Sequence, residues 1–277
     1  MPDIEREFRD TGMGGESKTI TGLAIEAYLK ENGDIINAAP KDGLFDADFL
    51  SIVLAQIKIF LVTGHDTTAS TLCYLYYCLH RYPAVADRVR AEHDAVLGTD
   101  PSTAATVLAG DPSILHRLIY TNAVIKETLR LYPPAATLRA GTRNLELVHP
   151  ETRQRFSTEG FTLLAASQTA HRHPAYWPQP DTFLPERWLA RDGDRLHPRK
   201  DAWRPFELGP RNCIGQELAM AELKLILALT VREVDVIPAY SDAAPRLFGE
   251  VAYQIYDPDE INNRPKGGMP VRVKLRT

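Results

Sequence analysis

FELGPRNCIG, Phe206 to Gly215, encloses one cysteine between two glycines, a proline and an arginine. A cysteine thiolate serves as an iron or zinc ligand or as a nucleophile, and a lone thiol is also often a small buried hydrophobe. The frame favours a working sulfur. Gly209 and Gly215 permit backbone geometry or close approach denied to other residues, and Pro210 stiffens the turn. A helix opening at Gly215 would direct its positive end toward Cys213 and stabilise a thiolate. Arg211, two residues ahead, has the planar fork that suits a carboxylate on a cofactor. A nucleophile would want a histidine base, and no sequence feature designates one, so ligand ranks above nucleophile.

The totals around this loop are those of a soluble globular chain. Of its 277 residues 44% are hydrophobic and 25% charged, which excludes disorder and supplies a core. Lys+Arg number 32 against 36 Asp+Glu, a formal net charge of -4, so nucleic acid is not an expected partner. The three cysteines, Cys73, Cys78 and Cys213, form no CxxC pair. That argues against a disulfide framework and a cysteine-rich zinc site, and for a reducing, cytoplasmic setting. Gln56 and Lys58 interrupt FLSIVLAQIKIFLV, so no transmembrane segment is expected, and the acidic start MPDIEREF is not a secretory leader. One domain over 1–277 is expected, since no Gly/Ser-rich or Pro-rich linker marks a boundary.

Working outward, the periodicity predicts a mainly α chain with a small β portion. Residues 1–45 are weakly organised, with one candidate helix, TITGLAIEAYLKEN. From Asp46, DADFLSIVLAQIKIFLVTGHDTTASTLCYLYYCLHRYP is apolar on nearly every face, the mark of a helix running through an interior until Pro83 stops it. AVADRVRAEHDAVLG is an amphipathic surface helix closed by Gly98, and SILHRLIYTNAVIKETLRLYPP a third helix ended by Pro133 and Pro134. Short strand-like runs follow (ATLRAGTR, LELVH, FTLLAAS), then an irregular Pro- and Trp-rich segment over 171–212 packed on something. A last long helix, roughly Gly215 to Arg232, precedes the strand-like EVAYQIYD and PVRVKLRT.

FELGPRNCIG matches FxxGxRxCxG at every defining position, and so resembles the haem-binding loop of the cytochrome P450 family. The resemblance implies the C-terminal part of that fold, a haem b cofactor, Cys213 as the iron's axial ligand, and thiolate electron donation that favours O–O cleavage. Within it Phe206, Gly209, Gly215 and Arg211 are cofactor-binding, with Arg211 the propionate partner. Arg139 sits where relatives offer another propionate contact, although it also reads as a surface arginine. Pro134 to Leu138 would face the substrate.

Three further elements agree with the family. Glu127 and Arg130 of KETLR resemble its ExxR pair, and Arg187 of LPERW the arginine that completes a structural cluster fixing the cysteine loop. TGHDTT, Thr63 to Thr68, resembles its oxygen-activation motif: Gly64 gives room, while Asp66 and Thr67 place an acid and a hydroxyl side by side to relay protons. Alone, the same residues read as a polar kink with a threonine bonded back to its own turn. Thr63 departs from the usual Ala or Gly. His65 holds a variable position and is assigned no role, and Cys73 and Cys78 read as buried packing. The basic RLHPRKDAWR would dock an acidic reductase, or is simply a solvated loop.

The resemblance covers the C-terminal half of the family only. It implies a monooxygenase acting on a small hydrophobic organic substrate with O₂ and electrons from an NADPH-dependent reductase, in the style of fungal members whose full-length forms sit at the endoplasmic reticulum membrane. The opposing expectation is a truncated, noncatalytic fragment unable to hold haem.

Overall fold

The computed structural model describes Leu23, Ala27 and residues 47–247, 249–255 and 263–276. Apart from Leu23 and Ala27, the candidate helix TITGLAIEAYLKEN lies outside these residues. The chain divides into two units, Met1–His65 and Asp66–Thr277.

The long apolar stretch forms one helix, α1 (Ala47–Arg81, 35 residues), which crosses from the first unit into the second. Only its second part fulfils the expectation of an interior helix. Thr68, Ser70, Thr71, Tyr74, Leu75, Tyr77, Cys78 and Leu79 are buried, whereas Ile52, Ile59 and Leu61 are exposed by 60%, 54% and 67%. A helix that is apolar all round needs partners all round, and among the described residues they surround α1 only from Thr68 onward. The expectation that no segment has membrane-spanning character also needs correction. Averaged over 18 residues the mean hydropathy reaches 1.6, enough by length and composition to cross a bilayer, because two polar side chains do not offset their apolar neighbours. The same composition serves a core helix, which is what the second part is.

Pro83 separates α1 from α2 (Pro83–Leu97). It takes the first helical position, where its missing N–H is no loss, and Gly98 at φ 91° ends the helix by donating its N–H to Asp94 O. On α2 Ala86, Val89, His93 and Leu97 face inward, confirming the amphipathic reading. A short helix α3 (Ala104–Gly110) and a 3₁₀ turn (Pro112–Arg117) follow. The third predicted helix is therefore shorter than expected, α4 (Ile119–Leu131). No side chain next to it caps its start. Glu92 of α2 does so instead, accepting Tyr120 N at 2.5 Å, Thr121 N at 2.8 Å and Thr121 Oγ1 at 2.7 Å.

The β portion is four separate antiparallel pairs among the described residues. β1 (Thr137–Ala140) pairs with β4 (Thr162–Ala165), and β2 (Glu146–Val148) with β3 (Arg155–Ser157). A five-residue helix α5 (Ser167–His171) leads into the Pro- and Trp-rich segment, and α6 (Gln216–Thr230) follows the cysteine loop. β5 (Val234–Pro238) pairs with β8 (Val271–Leu275), and β6 (Gln254–Ile255) with β7 (Arg264–Pro265). The periodicity reading passed over β3, β5 and β7, which are three, five and two residues long and lack a bounded alternating run.

The core of the second unit forms where α1, α2, α4 and α6 meet. Leu75, Val89, Ile125, Leu129, Leu223 and Leu227 are among its members, and Tyr74 stacks on Tyr132 with ring centroids 4.1 Å apart. Fully burying each such aliphatic side chain contributes about 1.5–3 kcal/mol, so this junction holds the platform under the cysteine loop.

A tight spot in the β1–β4 hairpin gives a direct test of the register. A Cβ on Gly141 would lie 1.7 Å from Thr158 O and 2.9 Å from Phe161 O. Both are backbone atoms that cannot swing aside. Gly141→Ala is expected to destabilise the protein by about 3 kcal/mol or more, read as a lowered urea midpoint.

Candidate functional site

Glu127 of α4 is fully buried, and its carboxylate accepts five hydrogen bonds. Arg130, one turn along the helix, grips it with two bonds, Nε to Oε2 at 2.9 Å and Nη2 to Oε1 at 2.8 Å. Arg187 adds Nε to Oε1 at 3.1 Å, Trp188 adds Nε1 to Oε2 at 3.1 Å, and Leu184 N donates to Oε1 at 2.9 Å. The arginines spend their remaining donors on backbone carbonyls. Arg130 reaches His171 O, Pro180 O and Thr182 O at 2.7, 2.6 and 3.1 Å, and Arg187 reaches Pro178 O and Gln179 O at 2.5 and 2.6 Å. Burial pushes the Arg187 guanidinium down from its ordinary range, with Glu127 pulling the other way.

The chemistry explains the irregular segment. A stretch full of prolines and turns cannot satisfy its own carbonyls with a ladder or helix, and two guanidinium groups with five donors each do it instead. The sequence reading of Glu127, Arg130 and Arg187 as one structural cluster is what the geometry brings together. It missed the tryptophans and one histidine. Trp177, Trp188 and Trp203 follow one another at centroid distances of 6.0 and 5.4 Å, and Phe206 continues the row at 5.9 Å. Trp203 Nε1 donates to Lys126 O at 3.1 Å, pinning the segment to α4. His171 is fully buried, and its pKa is lowered to about 4 by burial first and by the cations Arg130 and Arg204, against a bond to Arg130 O.

The cysteine loop hangs from this frame. Phe206 packs on the core, and its carbonyl accepts Cys213 N at 2.8 Å. Gly209 has φ 78°, a left-handed conformation that disfavours any side chain, and opens a 3₁₀ turn, Gly209–Arg211. Cys213 itself is exposed. It lines an open depression of about 480 Å³ with Pro210, Asn212, Ile214, Gln216 and Glu217. Gly215 is the N-cap of α6, and a Cβ there would meet the Cys213 sulfur at 3.9 Å. The loop thus presents a sulfur at a helix start, beside a residue with no side chain to cover it.

The other predicted site residues lie on separate elements. Arg211 is exposed in the turn just ahead of Cys213, and Arg139 is exposed on β1, with Nη1 bonded to Leu138 O at 2.8 Å. Asp66 and Thr67 are on α1, the first exposed and the second half-buried, and Thr67 O accepts Thr71 Oγ1 at 2.8 Å. Thr63 bonds back to Ile59 O at 2.7 Å. Gly64 is exposed on α1, and a Cβ there would meet nothing within 4 Å. Cys78 is buried and Cys73 half-buried, burial raising both thiols, in line with packing roles.

Comparison with known proteins sets this geometry in context. The family model described as Cytochrome P450 matches residues 50–254. "Cytochrome P450 monooxygenase polC" of Polytolypa hystricis is 38% identical over 99% of this chain and 50% of its own length. "Cytochrome P450 monooxygenase PC-23" of Penicillium crustosum is 37% identical over 73% of this chain and 99% of its own length. Among solved structures, the cytochrome P450DA heme domain superposes with a TM-score of 0.70 at 24% identity, covering 100% of this chain and 53% of that one, a likeness of fold. The chain spans 50% and 59% of the first two curated relatives, both fungal.

Two outcomes test the frame. Glu127→Ala leaves two buried guanidinium groups without their carboxylate and is expected to cost about 3–5 kcal/mol, measured by urea unfolding. The second concerns pH. His93, also fully buried, is held to a pKa of about 4 by burial and Arg232, with Asp94 opposing. For both His93 and His171 the folded pKa lies below the ordinary 6.5, so their contribution to stability is complete above pH 6.5 and lost as pH falls toward 4. Stability should drop by up to about 2.7 kcal/mol per pH unit in that window, and His93→Leu should remove about half of the slope in a melting-temperature series.

Proposed function

The chain belongs to the cytochrome P450 family, and from that premise we propose that it carries the haem-thiolate half of a monooxygenase. The reaction consumes a hydrophobic substrate RH, O₂, NADPH and H⁺ and yields ROH, H₂O and NADP⁺, with both electrons arriving through a reductase. Residues 1–277 form one partial domain of that family, the oxygen-activation helix, cysteine loop and C-terminal strands lying in 46–277. What supports the reading above all is the Cys213 loop: an exposed sulfur beside a glycine, over an open depression, at the start of α6.

The donor set fits haem. Among the described residues no group of three or more His, Cys, Asp or Glu could hold a bare metal ion. A single sulfur suits a metal whose other ligands come from a macrocycle. When bound, the haem iron supplies the activation of O₂. The chain's own residues do the rest. Cys213 Sγ would hold the haem iron, its amide held by Phe206 O, while Gly209 and Gly215 give the loop its shape and leave room at the sulfur. Arg211 and Arg139 supply guanidinium donors for the propionate carboxylates. The Asp66 carboxylate takes up a proton from solvent and passes it to the Thr67 hydroxyl, which presents it to the oxygen site. Pro134 to Leu138 border the substrate, a small hydrophobic molecule of the kind oxidised in fungal secondary metabolism, and the basic residues of Arg195–Arg204 meet the reductase.

A second reading has one observation in its favour. The chain spans about half of polC, and Cys213, Arg139 and Arg211 are all exposed, so the fragment alone would lose haem. The reduced, carbon monoxide-treated protein separates the two. Haem-supplied protein is expected to give the red-shifted Soret band of thiolate ligation, and Cys213→His to abolish that band without loss of folding. No haem uptake in the parent protein would favour the second reading.

A further inference from the structure

His171 ends α5, and its buried ring spans two segments of chain. Nδ1 lies 3.0 Å from Arg130 O at the end of α4, and Nε2 lies 2.8 Å from Arg204 N. A backbone N–H can only donate, so Nε2 is the bare nitrogen and Nδ1 carries the proton that bonds Arg130 O. Arg130 returns the bond from Nη1 to His171 O at 2.7 Å. The ring is further fixed edge-on to Trp177, with centroids 6.2 Å apart and planes at 81°.

From Arg204 the connection runs unbroken to the cysteine. Arg204 O accepts Glu207 N at 3.2 Å and Arg204 Nη2 donates to Glu207 Oε2 at 2.7 Å, closing a turn in which Glu207 takes φ 58°. Phe206 sits inside that turn, and its carbonyl accepts Cys213 N at 2.8 Å. We propose that neutral His171 is a positioning residue for Cys213: its Nε2 holds the Arg204 amide, the held amide sets the Arg204–Glu207 turn, and the turn aims the Phe206 carbonyl that fixes the cysteine.

Imidazole suits the task because its neutral form donates at one edge and accepts at the other with both atoms fixed in one plane. A protonated ring would turn an N–H toward the Arg204 N–H and place a positive charge beside Arg130 and Arg204. The lowered pKa of His171, to about 4, keeps that form away at neutral pH. Glu127 and Arg130 organise the segment before the loop; His171 is the side chain that passes this order on to Arg204. Its effect on haem ligation rests on the monooxygenase reading above, whereas the tether itself does not.

Two conservative variants divide the roles of the ring. The side-chain oxygen of His171→Gln reaches the place of Nε2 and can accept Arg204 N, whereas the amide nitrogen of His171→Asn reaches only the place of Nδ1. Amide hydrogen exchange in the 277-residue chain is the first readout. His171→Gln should keep slow exchange at Arg204 and Cys213, and His171→Asn should speed both by about tenfold, the worth of one such hydrogen bond. The carbon monoxide spectrum of the haem-supplied protein is the second. Gln should keep most of the thiolate-type band, and Asn should shift most of it to the form without thiolate ligation. Should His171→Asn not fold, Arg204→Pro, which deletes the donated N–H, is compared with Arg204→Ala, which keeps it and removes the same guanidinium; exchange, read at Cys213 alone, should be faster in the Pro variant, and equal rates overturn the proposal. Equal exchange at Arg204 and Cys213 in the Gln and Asn variants overturns the proposal, as does an Asn variant with parental exchange. Failure of the parent to take up haem would count against the monooxygenase reading alone, with the exchange result still deciding the tether.

Discussion

A carboxylate sealed from water with two guanidinium groups around it is the constraint on which the rest of this structure depends. Glu127, Arg130 and Arg187 have fully buried side chains. Desolvating three charges carries a large penalty, and the mutual attraction repays it only when geometry is close and other hydrogen-bonding sites are satisfied. Both conditions hold. Glu127 accepts five bonds, Arg130 places its three remaining donors on carbonyls of 171–182, and Arg187 places two more there. The contribution of such a cluster is specificity more than stability: an apolar junction would let the proline-rich segment settle in several ways, while directed donors accept one.

That explains why catalytic geometry can depend on residues that take no part in chemistry. The segment from Pro178 to Arg204 has almost no regular structure of its own. It is fixed from outside by the charged cluster, by Trp188 and Trp203 bonded to α4 at Glu127 and Lys126 O, and by His171. The cysteine loop begins where these attachments end. If the sulfur meets a metal, as proposed, a preformed seat of this kind would spare the conformational entropy of ordering the loop during binding.

Much of this was legible in the sequence, for reasons that differ by residue. Cys213, Gly209 and Gly215 are readable because their chemistry is local: backbone freedom and a thiol need no distant partner. The helices α2, α4 and α6 are readable because burial on one face imposes a period. His171 gave no signal, since its two partners lie 41 and 33 positions away and a single histidine in an irregular stretch carries no period. Glu92, which caps α4 from α2, is hidden for the same reason. The exposed first part of α1 shows the converse failure: composition reports what a helix can bury, and only the neighbours present decide what it does bury.

The scaffold and the seat differ in how far the chain completes them. The charged cluster, the tryptophan row and the His171 bonds all close within residues 126–207. At the seat the balance reverses. Ile214, beside Cys213 in the depression, is 88% exposed, and Leu218, one helical turn further along α6, is 72% exposed. Large apolar side chains left this open cost free energy in water until something covers them. Under the proposed haem-thiolate reading, a flat, largely apolar macrocycle lying against the sulfur would cover Ile214, and that burial would add to what the sulfur contributes. The rigid frame behind the loop and the open apolar surface before it are then two halves of one device. The frame fixes the loop that carries the sulfur, and under that reading the exposed surface beside it would favour binding of the group.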